Sequence, residues 1–182
     1  MRIIQIVSIA LFSVFLFSCG GSQEVPQEHT YQVNLSNGES YSGTIPNDEL
    51  TATYTDIPGS PATRIITFVI LDGEFEMLVQ VLMQGNTVLP IRDPESEEVD
   101  GGFVVITPPG TDIFTRFGSI SGTMTANGLR YQETPGLVAG ASTGLAMGEF
   151  TFNCQFQRAE DINSDNESSI SGTGAISIKN YF

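Results

Sequence analysis

Beyond residue 29 the chain is a succession of short runs rich in Val, Ile, Thr, Phe and Tyr, broken by Gly, Asn, Asp and Pro, with hardly any helical periodicity. Branched and aromatic side chains suit a pleated, half-buried surface, and the breakers supply turns. The runs predict strands at 30–35, 39–45, 50–56, 63–71, 74–83, 86–91, 102–107, 117–126, 129–133, 149–158 and 168–179. Strands must find partners for every backbone N–H and C=O, and short turns pair neighbours antiparallel. The expected fold is therefore all-β: an antiparallel two-sheet β-sandwich, with a closed antiparallel β-barrel as the alternative. A barrel would leave an interior for a small apolar ligand.

Asn37-Gly38, Asp72-Gly73 and Asn127-Gly128 read as hairpin turns, because such dipeptides accept the positive φ of tight turns. A two-residue loop at Asp72-Gly73 sets Ile70 opposite Phe75, Phe68 opposite Met77 and Ile66 opposite Val79. All six then share one apolar face, while the other face is mixed. In the last hairpin, symmetric pairing sets Phe156 opposite Ile170, Cys154 opposite Gly172, Phe152 opposite Gly174 and Phe150 opposite Ile176. Rings beside glycines cover them, and Cys154 is expected to be buried and inert.

Ser-Ile-Ser-Gly-Thr occurs at 119–123 and again at 169–173, and reads as shared strand chemistry more than as a duplication. Residues 135–148, Pro-Gly-Leu-Val-Ala-Gly-Ala-Ser-Thr-Gly-Leu-Ala-Met-Gly, read as a Gly-rich loop, the one place where a short helix is allowed. Gly136, Gly140, Gly144 and Gly148 would form one ridge on such a helix. Each interior Gly costs a helix about 1 kcal/mol relative to Ala, which favours the loop.

Ahead of the strands, Met1-Arg2 gives one positive charge, Ile3–Phe17 is an apolar run, and Leu16-Phe17-Ser18-Cys19-Gly20 follows. A charged start, a short apolar core and small residues near a cut describe a secretory signal. Leu16, Ser18 and Cys19 resemble the lipobox of bacterial lipoproteins, with bulky Phe17 between them. The resemblance covers the first 19 residues only and names no family for the remainder. It implies cleavage after residue 18, lipid on the Cys19 thiol and amine, and stable membrane anchoring. In such lipoproteins Asp after the Cys retains the protein at the inner membrane, so Gly20 implies the outer membrane. The expected organisation is a signal peptide at 1–18, a flexible tether at 19–29 and a single all-β domain at 30–182.

Without residues 1–18, 164 residues remain, enough for one domain with a substantial core. The full chain carries −14, and loss of Arg2 makes the mature chain −15. That charge argues against nucleic acid and against electrostatic docking on anionic lipid. Cys19 and Cys154 are the only cysteines; with Cys19 lipidated, no intramolecular disulfide can form.

Gly140-Ala141-Ser142-Thr143-Gly144 spells the hydrolase elbow G-x-S-x-G. That elbow needs a strand–turn–helix setting and a His to take the Ser proton, whereas the only His is His29, ahead of it in the tether. Acidic stretches run from Asp93 to Asp100 and from Asp161 to Glu167. The second spaces Asp161, Asn163, Asp165 and Glu167 alternately, resembling the first half of a calcium loop. Asn166 replaces the turning Gly there, and Gly172 the closing Glu; a solvated loop is the competing reading, with weak calcium the candidate cofactor. Zinc-ligand clusters and phosphate-cradling loops are missing from the sequence. Trp is absent, leaving Tyr31, Tyr41, Tyr54 and Tyr131 as stacking candidates. The function expected is a lipid-anchored, non-catalytic envelope module that contacts a protein or glycan, or acts structurally. Its loops 92–101, 108–116, 134–148 and 159–167 are the first places to look. A barrel-type carrier and a carboxylate-based hydrolase are the alternatives.

Overall fold

The computed structural model describes residues 29–57, 63–92, 101–111, 116–134, 142–158, 168–179 and 181–182. They form ten strands: β1 (His29–Leu35), β2 (Ser40–Ile45), β3 (Leu50–Ile57), β4 (Thr63–Asp72), β5 (Phe75–Met83), β6 (Val88–Ile91), β7 (Gly101–Thr107), β8 (Phe117–Thr134), β9 (Thr143–Arg158) and β10 (Ser169–Ile178). A 3-10 turn at Asn47–Glu49 joins β2 to β3. The all-β, antiparallel expectation holds, with one parallel bridge, Ile91 to Gly102, between β6 and β7.

The ladder returns on itself. β9 pairs with β3, and the path continues through β4, β5, β7 and β8 back to β9. β10, β1 and β2 branch off the far part of β9. Alternation then sorts the side chains. Along β9, Phe150, Phe152, Cys154 and Phe156 point inward and are buried, whereas Glu149, Thr151, Asn153 and Gln155 are exposed. Phe68 of β4 meets Phe150 edge to face, 4.8 Å between ring centroids, at the heart of the core. Burying a Phe or Ile side chain contributes roughly 1.5–3 kcal/mol, and thirty of the described residues are buried hydrophobics that share this core.

The β9–β10 register is the symmetric one expected: Phe156–Ile170, Cys154–Gly172, Phe152–Gly174 and Phe150–Ile176. A Cβ on Gly172 would meet the Phe156 ring at 2.7 Å, so these glycines are the space the rings occupy. Both Ser-Ile-Ser-Gly-Thr segments lie against β9. Ser121 and Ser171 pair with Gln155, Gly122 and Gly172 with Cys154, and Thr123 and Thr173 with Asn153. Their first serines differ. A bulge at Ile120 turns Ser119 into the core, where its Oγ accepts a bond from the Val104 N–H at 2.8 Å.

Four expectations need correction. At Asp72-Gly73 the pairing is Ile70–Met77, Phe68–Val79 and Ile66–Val81, with Asp72 opposite Phe75 and Gly73-Glu74 as the loop. A slip by an even number of positions keeps every side chain on its face, so the apolar pattern does not resist it. The Asn37-Gly38 hairpin exists but is wider than two residues: Gly38 N–H bonds Leu35 C=O and Leu35 N–H bonds Glu39 C=O. Asn127-Gly128 is no hairpin. β8 runs through it, because Asn127 pairs with Glu149 and Arg130 with Met147, a one-residue bulge with Gly128 at φ 59°. Finally, Thr143–Gly148 is neither loop nor helix but the first part of β9. Small residues are needed there: Gly144 lies against Tyr54, whose ring a Cβ would meet at 2.7 Å.

Candidate functional site

His29, read as the end of the tether, opens β1 and is wholly buried. The Lys179 backbone N–H donates to its Nδ1 at 3.2 Å, so Nε2 carries the proton and donates to Asn47 Oδ1. Burial lowers its pKa. Ser142 precedes β9, and its Oγ donates to Glu133 Oε1 at 3.1 Å. The only His of the chain is thus committed to β1 and the Lys179 backbone, and the bond that Ser142 makes is to a carboxylate. Thr143 and Gly144 of the G-x-S-x-G stretch are strand, not the turn into a helix that an elbow requires. Cys154 is 2% exposed, and burial pushes its thiol pKa up to about 12.

The four tyrosines named as stacking candidates already have ring partners. Tyr31 and Tyr41 both stack on Phe75, with centroids 4.8 and 5.1 Å away. Tyr54 and Tyr131 hold the Arg64 guanidinium, 4.7 and 4.1 Å from their ring centres. Arg64 also makes a two-pronged bond to Asp56, 2.6 and 2.7 Å. The sequence reading missed this cluster, although Asp56 and Arg64 are direct cross-strand partners around 58–62. Cross-strand pairing of opposite charges was the available signal.

Cys19, and Asp161, Asn163, Asp165 and Glu167, lie outside the described residues, as do 93–100, 112–115, 135–141 and 159–167. Among the described residues no group of three or more His, Cys, Asp or Glu is placed to hold a metal ion. No described helix is long and apolar enough to cross a membrane.

What the fold does assemble is a broad outer face on β8, β9, β10, β1 and β2, built in cross-strand rows. One row is Thr123, Asn153, Thr173, Asn34 and Ser40. The next is Thr125, Thr151, Ala175, Gln32 and Ser42, and the next Asn127, Glu149, Ser177, Thr30 and Thr44. Ser121, Gln155 and Ser171 extend it across three strands. All of these residues are exposed or half-buried. Hydroxyls and amides dominate, and Glu149 is the only ionisable residue of the four rows. Its Oε1 lies 4.0 Å from Lys179 Nζ, which offsets the charge. A groove of about 480 Å³ crosses the face between β2, β1 and β10, lined by Thr30, Gln32, Ser42, Thr44, Ala175 and Ser177 with Tyr31 and Gly43. The outer face of β3, β4, β5 and β7 differs: Val69, Leu78 and Val105 form an apolar, half-buried row there.

No protein-family model matches the chain, and neither a curated protein nor a solved structure does.

Proposed function

We propose that the protein is a non-catalytic binding module of the cell envelope, anchored by lipid on Cys19 at the outer membrane and acting by surface contact. The observation that carries this reading is the wide hydroxyl- and amide-lined face of the sheet, with an open groove across it. Groups of this kind bind by hydrogen bonding and perform no chemistry unaided. The settings of Ser142, His29 and Cys154 favour binding over nucleophilic catalysis.

One alternative draws on a specific feature. β1, the first strand, pairs with β10, the last, and six strands close a ladder cycle, as a carrier of an apolar ligand would require. Against it, Phe68, Phe150, Phe156, Met77 and Met124 fill the interior and are at most 1% exposed. Two half-buried carboxylates that a hydrolase could draw on are already engaged, Asp56 by Arg64 and Asp72 by Tyr31.

Fractionation with fatty-acid labelling tests the anchor: wild type is labelled and sediments with membranes, and Cys19→Ser is neither. Labelled Cys19→Ser overturns it. The binding reading fails if the purified full-length protein turns over an envelope component and one carboxylate substitution ends turnover without unfolding.

A further inference from the structure

We infer that the outer face of β8, β9, β10, β1 and β2 binds a neutral, hydroxyl-rich polysaccharide, with the groove between β2, β1 and β10 seating one stretch of the glycan chain. The inference deepens the binding-module reading and rests on it.

Charge is the first argument. The chain carries −14, yet this face holds a single carboxylate, Glu149, with Lys179 beside it. In a protein this acidic, a face kept almost free of charge does not serve a cationic partner, which the acidic residues elsewhere would attract. An anionic partner is repelled by the field of the whole molecule. A neutral partner meets neither obstacle.

Hydrogen-bond chemistry is the second. Sugar hydroxyls donate and accept at once, and so do Ser, Thr, Asn and Gln side chains; carboxylates only accept and ammonium groups only donate. Thr30, Gln32, Ser42, Thr44 and Ser177 bring both functions to the groove, and the methyl of Ala175 leaves a gap between them. The third argument is geometry. Neighbouring strands stand about 4.8 Å apart and same-face residues about 6.8 Å apart along a strand, so the rows present a regular array. Ser121 and Thr123 of β8 are matched by Ser171 and Thr173 of β10 on either side of β9. A polymer of identical units suits a repeated array, each unit adding a weak contact and the whole gaining by multivalency. No aromatic ring is exposed in the rows, so the expected affinity is modest and carried by hydrogen bonds.

The test is affinity electrophoresis of the full-length protein in detergent, through gels containing hydroxyethylcellulose, dextran or galactomannan. Carboxymethylcellulose is the charged control. Retardation by at least one neutral polymer, and at least fivefold less by the charged one, supports the inference. Gln32→Glu and Ser42→Asp place charge in the groove at exposed positions and should cut retardation at least fivefold with unchanged circular dichroism. Glu76→Gln, on the outer face of β5, should not. Absence of retardation by every neutral polymer, or equal retardation of the groove variants, overturns it. If the same preparation still captures an envelope protein, the glycan inference alone has failed; if it degrades a polymer, the binding-module reading has failed.

Discussion

Arg64 and Asp72 lie on the same inward face of β4, eight residues apart, and between them Ile66, Phe68 and Ile70 are wholly buried. Each charge sits at one limit of the apolar face and is matched there. Arg64 is gripped by Asp56 and two tyrosine rings. Asp72 Oδ2 accepts a 2.7 Å bond from the Tyr31 hydroxyl. The strand thus carries the core and both of its polar ends, and the two ends are separately testable.

At the Asp72 end, Tyr31→Phe keeps the stack on Phe75 but removes the donor to a partly buried carboxylate. A hydrogen bond to a charged group contributes about 1.5–3 kcal/mol, so the substitution should lower stability by roughly that amount. Asp72→Asn retains an acceptor and should cost less than half as much. Urea denaturation at constant m-value measures both. Equal stability of Tyr31→Phe and wild type would show that the bond contributes nothing.

At the other end, Arg64→Lys keeps the charge but loses the planar fork and the aromatic contacts. The Asp56–Arg64 pair is about one-third exposed, so solvent weakens it, and a loss near 1 kcal/mol is expected. A second readout separates the rings from the ion pair. Burial raises the Tyr131 phenol, and Arg64 holds it back. In Arg64→Leu, absorbance titration should therefore find a tyrosine ionising at higher pH than in wild type. An unchanged titration would mean that the contact is not maintained in solution.

Strand positions were legible because the apolar alternation is strong, and the β9–β10 register was legible because the pairing is symmetric about its loop. The β4–β5 slip was not, since positions two apart look alike to the core. Thr143–Gly148 was misread because Gly and Ala argue for a loop in isolation; only the approach of Tyr54 and the β8 backbone explains small residues in a strand. The charge-poor outer face was invisible for a different reason. Its residues come from five strands, and no linear stretch reveals that Asn34, Thr173, Asn153 and Thr123 share one row.

The β9–β10 packing offers a reciprocal test. Gly174 lies under the Phe152 ring, so Gly174→Ala overpacks the site and should cost about 1–3 kcal/mol. Phe152→Leu makes room, and the double variant should be more stable than the sum of the single losses predicts. Strict additivity would deny the contact. Cys154 nearby should resist a thiol reagent at pH 8 until the protein is unfolded, as its burial and raised pKa require.

His29 gives the last prediction, a pH dependence with a definite sign. Its Nδ1 accepts from the Lys179 N–H and the ring is buried, so protonation both breaks a bond and buries a charge. The folded pKa is accordingly below the ordinary 6.5, chiefly through burial, while the Asn47 bond opposes the shift. Tyr181, edge-on at 5.6 Å, adds no charge at these pH values. The unfolded chain then binds the extra proton first. Stability contributed by neutral His29 is complete above about pH 6.5 and declines as pH falls from there towards the lowered folded value, by up to about 1.4 kcal/mol per pH unit. His29→Gln has no ring to protonate. It should be less stable than wild type at pH 8, and its stability should change less between pH 7 and pH 5, above the range where most carboxylates titrate. Parallel pH–stability curves for the two proteins would refute the assignment of the neutral ring.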